Sequence, residues 1–182
     1  MTTALGSPTR RIDAAAKVAG TAPYPADLVP PGSLYACVAF TGQPHARLVD
    51  LDVSAAEAAP GVVMVLTAED VPVNSYGLMV PDQPVLIGPP GTPEGVSRWE
   101  ADHLAVVIAE SPETARAAAT RIRARWEPLP VVPDIDAAAA GDQLVWPDRP
   151  DNVAYAYRIR KGDAADAWDD AEVVVEATYE VP

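Results

Sequence analysis

The sequence predicts an α+β fold, a mixed sheet with short helices. Three observations carry that expectation. The apolar runs are too short for independent helices and each is closed by proline or glycine. Their order reads strand, strand, helix, strand. Twenty prolines in 182 residues imply short elements joined by stiff turns, because each proline fixes φ and removes a ladder donor. The length suits one domain, or one domain with a substantial tail. With 49% hydrophobic and 21% charged residues, the composition is globular and can supply a core.

The first strong element is Leu34 to Thr41, entered through Pro30-Pro31-Gly32 and left through Gly42-Gln43-Pro44. It reads as a buried strand, with Cys37 inside it as a small hydrophobe. Ala46 to Val53 interleaves Leu48, Val49, Leu51 and Val53 with Arg47, Asp50 and Asp52, the pattern of a half-exposed strand. Ser54, with Glu57 three residues on, reads as a capping box opening a short helix that Pro60-Gly61 closes. Val62 to Leu66 is a β-branched run expected as a central strand, and Thr67-Ala68-Glu69-Asp70 as a cap starting one turn of helix. Pro72 to Gly95 is rich in proline and glycine and reads as a long loop with at most a short strand at 85–87.

Leu104 to Ala109 is the most apolar run and reads as an interior strand. Ser111-Pro112-Glu113 supplies an N-cap, a proline at the first helical position and an acid near the positive helix end. Ala115, Ala118, Ala119 and Ile122 then follow helical spacing. From Arg121 the period falls to two, so helix passes into strand before Pro128; periodicity leaves the boundary open. Asp134 to Ala140 reads as a small helix ended by Gly141, and 142–152 as turns. Val153, Tyr155, Tyr157 and Ile159 alternate with Ala154, Ala156, Arg158 and Arg160 as an amphipathic strand. A short helix runs from the Gly162-Asp163 cap through Trp168, and 173–179 reads as a last strand. Its uncovered edge calls for further chain or a partner.

Thirteen basic residues against 26 acidic ones give a formal charge of −13, the wrong sign for a phosphate backbone or an anionic membrane. The arginines at 116–125 read as a solvated face. A single cysteine excludes an internal disulfide framework and any multi-cysteine zinc or iron–sulfur site within this sequence, and points to a reducing cytoplasm. The Arg10-Arg11 pair is followed by no apolar stretch of signal-peptide length, and no run approaches a membrane span.

Chemistry-bearing motifs are few. His45 and His103 have no ligand partner at a recognised spacing. Nucleophile elbow, Walker loop and dinucleotide fingerprint are all missing, and the glycines at 88, 91 and 95 lack the strand-then-helix setting of a phosphate cradle. Asp50/Asp52, Glu69/Asp70 and Asp169/Asp170 read as solvated faces or caps. The tryptophans at 99, 126, 146 and 168 read as core or interface packing. No catalytic, cofactor-binding or metal residue emerges.

The order of residues does resemble a known family. Arg11-Ile-Asp-Ala-Ala-Ala-Lys17-Val-Ala-Gly20-Thr-Ala-Pro-Tyr24-Pro-Ala-Asp27, Pro31-Gly32-Ser-Leu34 and Gln43-Pro44-His45-Ala46-Arg47 are similar to the start of the molybdopterin-binding large subunit of the xanthine dehydrogenase and aldehyde oxidase family. The resemblance continues, collinear, through Asp52-Val-Ser54, Pro60-Gly61-Val62-Val63 and Leu66-Thr67-Ala-Glu69-Asp70. It resumes at Ala105 to Ser111, Trp126-Glu127-Pro-Leu129-Pro130, Gly162-Asp163 and Val174-Val-Glu176 with Tyr179-Glu-Val-Pro182.

That resemblance implies an N-terminal arm at 1–20, an α/β-hammerhead domain at 21–140, and a connecting strand-helix-strand segment at 141–182 leading to molybdenum-cofactor domains of the same subunit. In such enzymes a molybdenum-pterin cofactor hydroxylates an N-heterocycle or aldehyde with water, and electrons pass to two 2Fe–2S clusters and FAD in partner iron–sulfur and flavin domains or subunits. The family's cofactor contacts, its catalytic glutamate included, have no counterpart at these positions, so this chain alone is expected to be inactive. A free-standing interaction module, or a small-molecule binder using the Pro72–Gly95 loop as a lid, are the alternatives. Two departures stand out. Trp99-Glu100-Ala101-Asp102-His103 replaces an aromatic-x-Gly-x-Pro turn, where a left-handed backbone would be strained at Ala101. The 88–94 loop also differs from the family's usual stretch.

Overall fold

In a computed structural model of the chain, residue 6 and residues 10–78, 80–149 and 151–179 are described. The elements in order are α1 (Ala14–Val18), β1 (Tyr35–Phe40), β2 (Ala46–Asp52), α2 (Ser54–Glu57), β3 (Val62–Leu66), β4 (Ser75–Tyr76), β5 (Gln83–Pro84), β6 (Val96–Ser97), β7 (His103–Ala109), α3 (Pro112–Ala119), β8 (Arg123–Pro128), α4 (Ile135–Ala140) and α5 (Ala164–Asp169). Two units divide the chain between Val131 and Val132.

The first unit holds a sheet of order β1-β7-β3, a sheet of order β6-β2-β8 and the hairpin β4-β5. Its apolar segments explain the arrangement. β7 is apolar along almost its whole length, so it needs cover on both edges and both faces. Val107 pairs with Cys37 on one side and Val65 on the other, and is fully buried. β3 is therefore an edge strand rather than the expected central one; its exposed Val63 and Met64 do not need the interior. All the pairings are antiparallel in place of the expected mixed sheet, because β7 separates the two strands that run in the same direction, β1 and β3.

Two clusters make the core. Ala56, Ala59, Val65, Ala105, Val107 and Ala118 form one, in which alanines let α2 and α3 approach the sheet closely. Leu48, Ile87 and Leu104 form the other, with Leu51, Ala124 and Trp126 around them. Burying each large aliphatic side chain contributes roughly 1.5–3 kcal/mol. Ile122, in the turn between α3 and β8, packs against both clusters, which resolves the boundary that periodicity leaves open.

Local chemistry accounts for the ends of the elements. Ser111 Oγ accepts from Thr114 N–H at 3.1 Å, with Pro112 at the first helical position of α3. Thr67 N–H donates to Asp70 Oδ2 at 2.8 Å, closing the expected turn at 68–70. The capping role expected of Ser54 is corrected: Ser54 is already the first helical residue, and its N–H and hydroxyl both donate to Asp52 Oδ1, at 3.0 and 2.6 Å. The carboxylate at the end of β2 is the stronger acceptor, so it ties down the entry to α2.

The Pro72–Gly95 stretch is more ordered than its composition suggests. The short strand expected at 85–87 is not formed. β4 and β5 pair instead, and Asn74 substitutes for a neighbouring strand by accepting from Leu86 N–H at 2.9 Å and donating to Leu86 O at 2.7 Å. Leu86 and Ile87 are buried, and Ile87 N–H reaches His103 O at 2.7 Å. β6 has no counterpart among the expected strands; it is only Val96-Ser97, and Arg47 and Ala46 of β2 define its register. The turn into β7 is rebuilt around Asp102, whose Oδ2 accepts from Arg98 N–H at 2.8 Å and Trp99 N–H at 3.1 Å. Ala101 stays out of the left-handed region, so the strain expected there is avoided.

In the second unit, α4 is capped by Asp134 Oδ1, which accepts from Ala137 N–H at 2.8 Å, and ended by Gly141 at φ 75°. Asn152 gathers the turns before it, donating to Ala138 O and Gln143 O and accepting from Val145 N–H. The strands expected at 153–159 and 173–179 are not formed among the described residues. The period-two pattern is present, but a strand is defined by its ladder and no neighbouring strand supplies one. Residues 180–182, part of the resemblance, lie outside the described residues.

Candidate functional site

A cleft of about 440 Å³ opens in the first unit. It lies between the end of β2, α2, the turn after β3 and the loop at 87–90. Asp50, Glu57, Glu69 and Asp70 supply its polar rim, and Leu51, Val65 and Ile87 its floor. In the sequence these acids read as separate pairs. Their convergence depends on β2 and β3 belonging to different sheets, a fact no local spacing reports.

The remaining candidates are scattered over the scaffold. Asp50 and Asp52 face Arg125 and Arg123 across the β2–β8 ladder, and Arg47 faces Glu127, whose carboxylate lies 3.6 Å from its guanidinium. The arginine run is therefore the outer half of a cross-strand charge ladder, the solvated face expected of it. Hydrogen bonds from the Ser54 hydroxyl, then from its backbone N–H, hold the Asp52 carboxyl below the usual carboxylate range, with Arg123 adding to the effect. Lys17, then Arg11, do the same for Asp13.

Cys37 is half-buried in β1, less enclosed than expected, with its thiol 3.8 Å from Val38 O. The His45 ring engages Pro130 O through Nδ1, and the His103 ring meets Phe40 edge-on at 5.5 Å between centroids. Trp126 packs into the core, whereas Trp99 and Trp168 are exposed. Asp169 closes α5 and Asp170 follows it, both exposed. Among the described residues no group of three or more His, Cys, Asp or Glu side chains is placed to hold a metal ion, and no helix is long and apolar enough to cross a membrane.

A pterin cofactor with its phosphate and dithiolene is anionic. The acidic rim of the cleft has the wrong sign for it. This cleft does not fit a molybdenum-pterin cofactor.

What the fold does define is a class. The pairing of two three-stranded antiparallel sheets with short alanine-rich helices corresponds to the a/b hammerhead domain of aldehyde oxidase and xanthine dehydrogenase, whose family model matches residues 19–130. The chain belongs to that family. It is 34% identical over 181 residues to a probable xanthine dehydrogenase subunit from Bacillus subtilis (strain 168), a match covering 98% of this chain and 23% of the relative. The nicotinate dehydrogenase large molybdopterin subunit of Eubacterium barkeri is 33% identical over 177 residues, covering 96% of this chain and 40% of that one. Among solved structures, quinoline 2-oxidoreductase from Pseudomonas putida 86 superposes with a TM-score of 0.68 at 32% identity over 80% of this chain and 19% of its own. Aldehyde oxidoreductase from Desulfovibrio gigas gives 0.67 at 30% identity over 90% of this chain and 19% of its own. The chain thus spans less than half the length of these relatives.

Proposed function

We propose that this chain serves as the hammerhead portion of a molybdenum hydroxylase large subunit. The complete enzyme would hydroxylate a carbon of an N-heterocycle or aldehyde with oxygen from water. The molybdenum-pterin cofactor would be held by other parts of the large subunit, and 2Fe–2S clusters and FAD by partner domains or subunits. In this reading, residues 1–20 are an arm, 21–140 the hammerhead domain and 141–182 the segment connecting it to the cofactor-bearing domains. The observation that carries it is the collinear hammerhead match over 19–130, continued across nearly the whole chain in a relative named as a molybdopterin subunit. The role of these residues is architectural: a core stiffened by β7 presents exposed apolar side chains, Leu34, Phe40, Val63 and Met64 among them, of the kind that pack against neighbouring domains.

The test is the native mass of the polypeptide in its source cell, read with an antibody to the N-terminal segment, with molybdenum measured on the captured material. A species well above the 19.1 kDa of this chain that carries molybdenum is the expected result. A species of that mass with molybdenum would indicate a split subunit. The same species without metal would overturn the reading in favour of a free-standing module.

A further inference from the structure

His45 and Pro130 stand 85 residues apart in the chain and meet where it leaves the first unit. The β2–β8 ladder has its last pair at Ala46 and Pro128. Beyond that pair it thins, because Pro128 and Pro130 have no N–H to donate. His45 takes over there with two of its polar groups. Its backbone carbonyl accepts from Leu129 N–H at 3.0 Å, and its ring meets Pro130 O through Nδ1. A carbonyl oxygen only accepts, so the proton at this contact sits on Nδ1 of His45. The neutral ring is then the Nδ1–H tautomer, with Nε2 left as an acceptor. Leu129 is only half-buried and Pro130 is exposed, so burial does little to anchor this end of the unit.

We infer that His45 is a clasp, a positioning residue whose Nδ1–H and carbonyl together fix the path by which the chain leaves the first unit. The ring supplies the grip that a proline-broken ladder cannot. A chain departing from a fixed root explores less space than one that frays from Pro128 onward. That raises the effective concentration of whatever the chain carries and lowers the ordering cost when it docks. The length of chain beyond the root makes this useful: similarity to the Bacillus subtilis relative covers 98% of this chain, and the match is only 23% of that relative. Both ends of the clasp lie within the first unit, so it stands whether or not the proposed function does.

The experiment uses the native polypeptide, whatever its length, and compares substitutions of His45 by hydrogen–deuterium exchange at Leu129, with β7 as internal reference. Asparagine carries its amide nitrogen at the same remove from Cβ as Nδ1 of histidine, whereas glutamine carries it one bond further, like Nε2. His45→Leu, which has no donor, is expected to speed exchange at Leu129 by on the order of 5- to 10-fold with β7 unchanged. His45→Asn is expected to restore most of the protection, and His45→Gln to behave like His45→Leu. Wild-type exchange in His45→Leu would mean that the ring holds nothing and would overturn the inference. Asparagine protecting no better than glutamine would overturn it too, since the hold would then not come from a donor at the Nδ1 position. A second readout needs no altered fold: nitrogen chemical shifts of isotope-labelled histidine at mildly alkaline pH, with the His45 signal identified by its loss in His45→Asn. Wild-type His45 is expected to be protonated at Nδ1 and bare at Nε2; the opposite tautomer would overturn the clasp. A native species without molybdenum would count against the proposed function and leave each of these outcomes as readable as before.

Discussion

β8 and the segment from Val153 to Ile159 carry the same period-two chemistry, apolar side chains alternating with arginine, and they end in opposite circumstances. β8 is paired along its length with β2, turning Ala124 and Trp126 toward the core and Arg123 and Arg125 toward the acids of β2. The later segment joins no strand among the described residues, its Val153 N–H and Ala154 O bonding to the side chains of Asp151 and Arg149, and it leaves its apolar row largely in water. The difference teaches that alternation reports a capacity to lie on a sheet, whereas a strand requires a neighbour with a free edge in register.

The sharpest way to break that contrast is to truncate one side chain in each region of the same chain. Leu48→Ala removes a fully buried residue opposite Trp126 and is expected to cost about 2–5 kcal/mol in denaturant unfolding. Tyr157→Ala, at a position 75% exposed, is expected to shift the same transition by less than about 0.5 kcal/mol. Equal shifts would show that both regions share one core and the contrast is false.

Gly88→Ala asks whether the 72–95 loop belongs with the folded side of the comparison. Gly88 sits at φ 135° and a Cβ there would lie 3.1 Å from the Ala68 Cβ, so the substitution is expected to cost about 1–3 kcal/mol. An unchanged midpoint would mean the loop moves independently of the core. A smaller effect separates two helix caps of similar chemistry. Ser111→Ala is expected to lower the stability of the first unit by about 1 kcal/mol. Asp134→Ala should reduce the helix signal of α4, which buries no residue, without moving the first unit's midpoint.

The smallest expected effect is electrostatic. The Asp52 carboxyl is held below its usual range in the folded chain, so it binds its proton more weakly folded than unfolded. Its contribution is present above the ordinary carboxylate range and is lost as pH falls through the depressed folded value. Asp52→Asn should flatten that acid limb slightly and leave stability at neutral pH less dependent on Ser54. An acid limb unchanged by the substitution would show that the hydrogen bonds to Ser54 carry no linkage.

How much of this is legible in the sequence follows from where the information sits. Ser111-Pro112, Asp134 with Gly141, and Thr67 with Asp70 are local: each side chain meets a backbone group within three residues, so spacing alone reveals the element. The solvated face of the arginines is legible too, although their partners Asp50 and Asp52 are not. Asn74 escapes sequence reading because a side chain standing in for a strand has no periodic signature, and β6 because its two residues are defined only by β2. The acidic cleft is invisible for the same reason: Asp50 and Glu69 are brought together by sheet order.

By itself, the sequence determined the alternation of short strands and helices, the caps that start and stop them, and a collinear pattern sufficient to identify the family. These depend on neighbours along the chain or on the order of residues. Only the tertiary structure decided that β7 is central and β3 an edge, that Asp52 rather than Ser54 secures the start of α2, and that 153–159 and 173–179 have no ladder among the described residues. Each of those outcomes depends on which groups are left free after all the others have paired, a competition among distant residues that no local window contains.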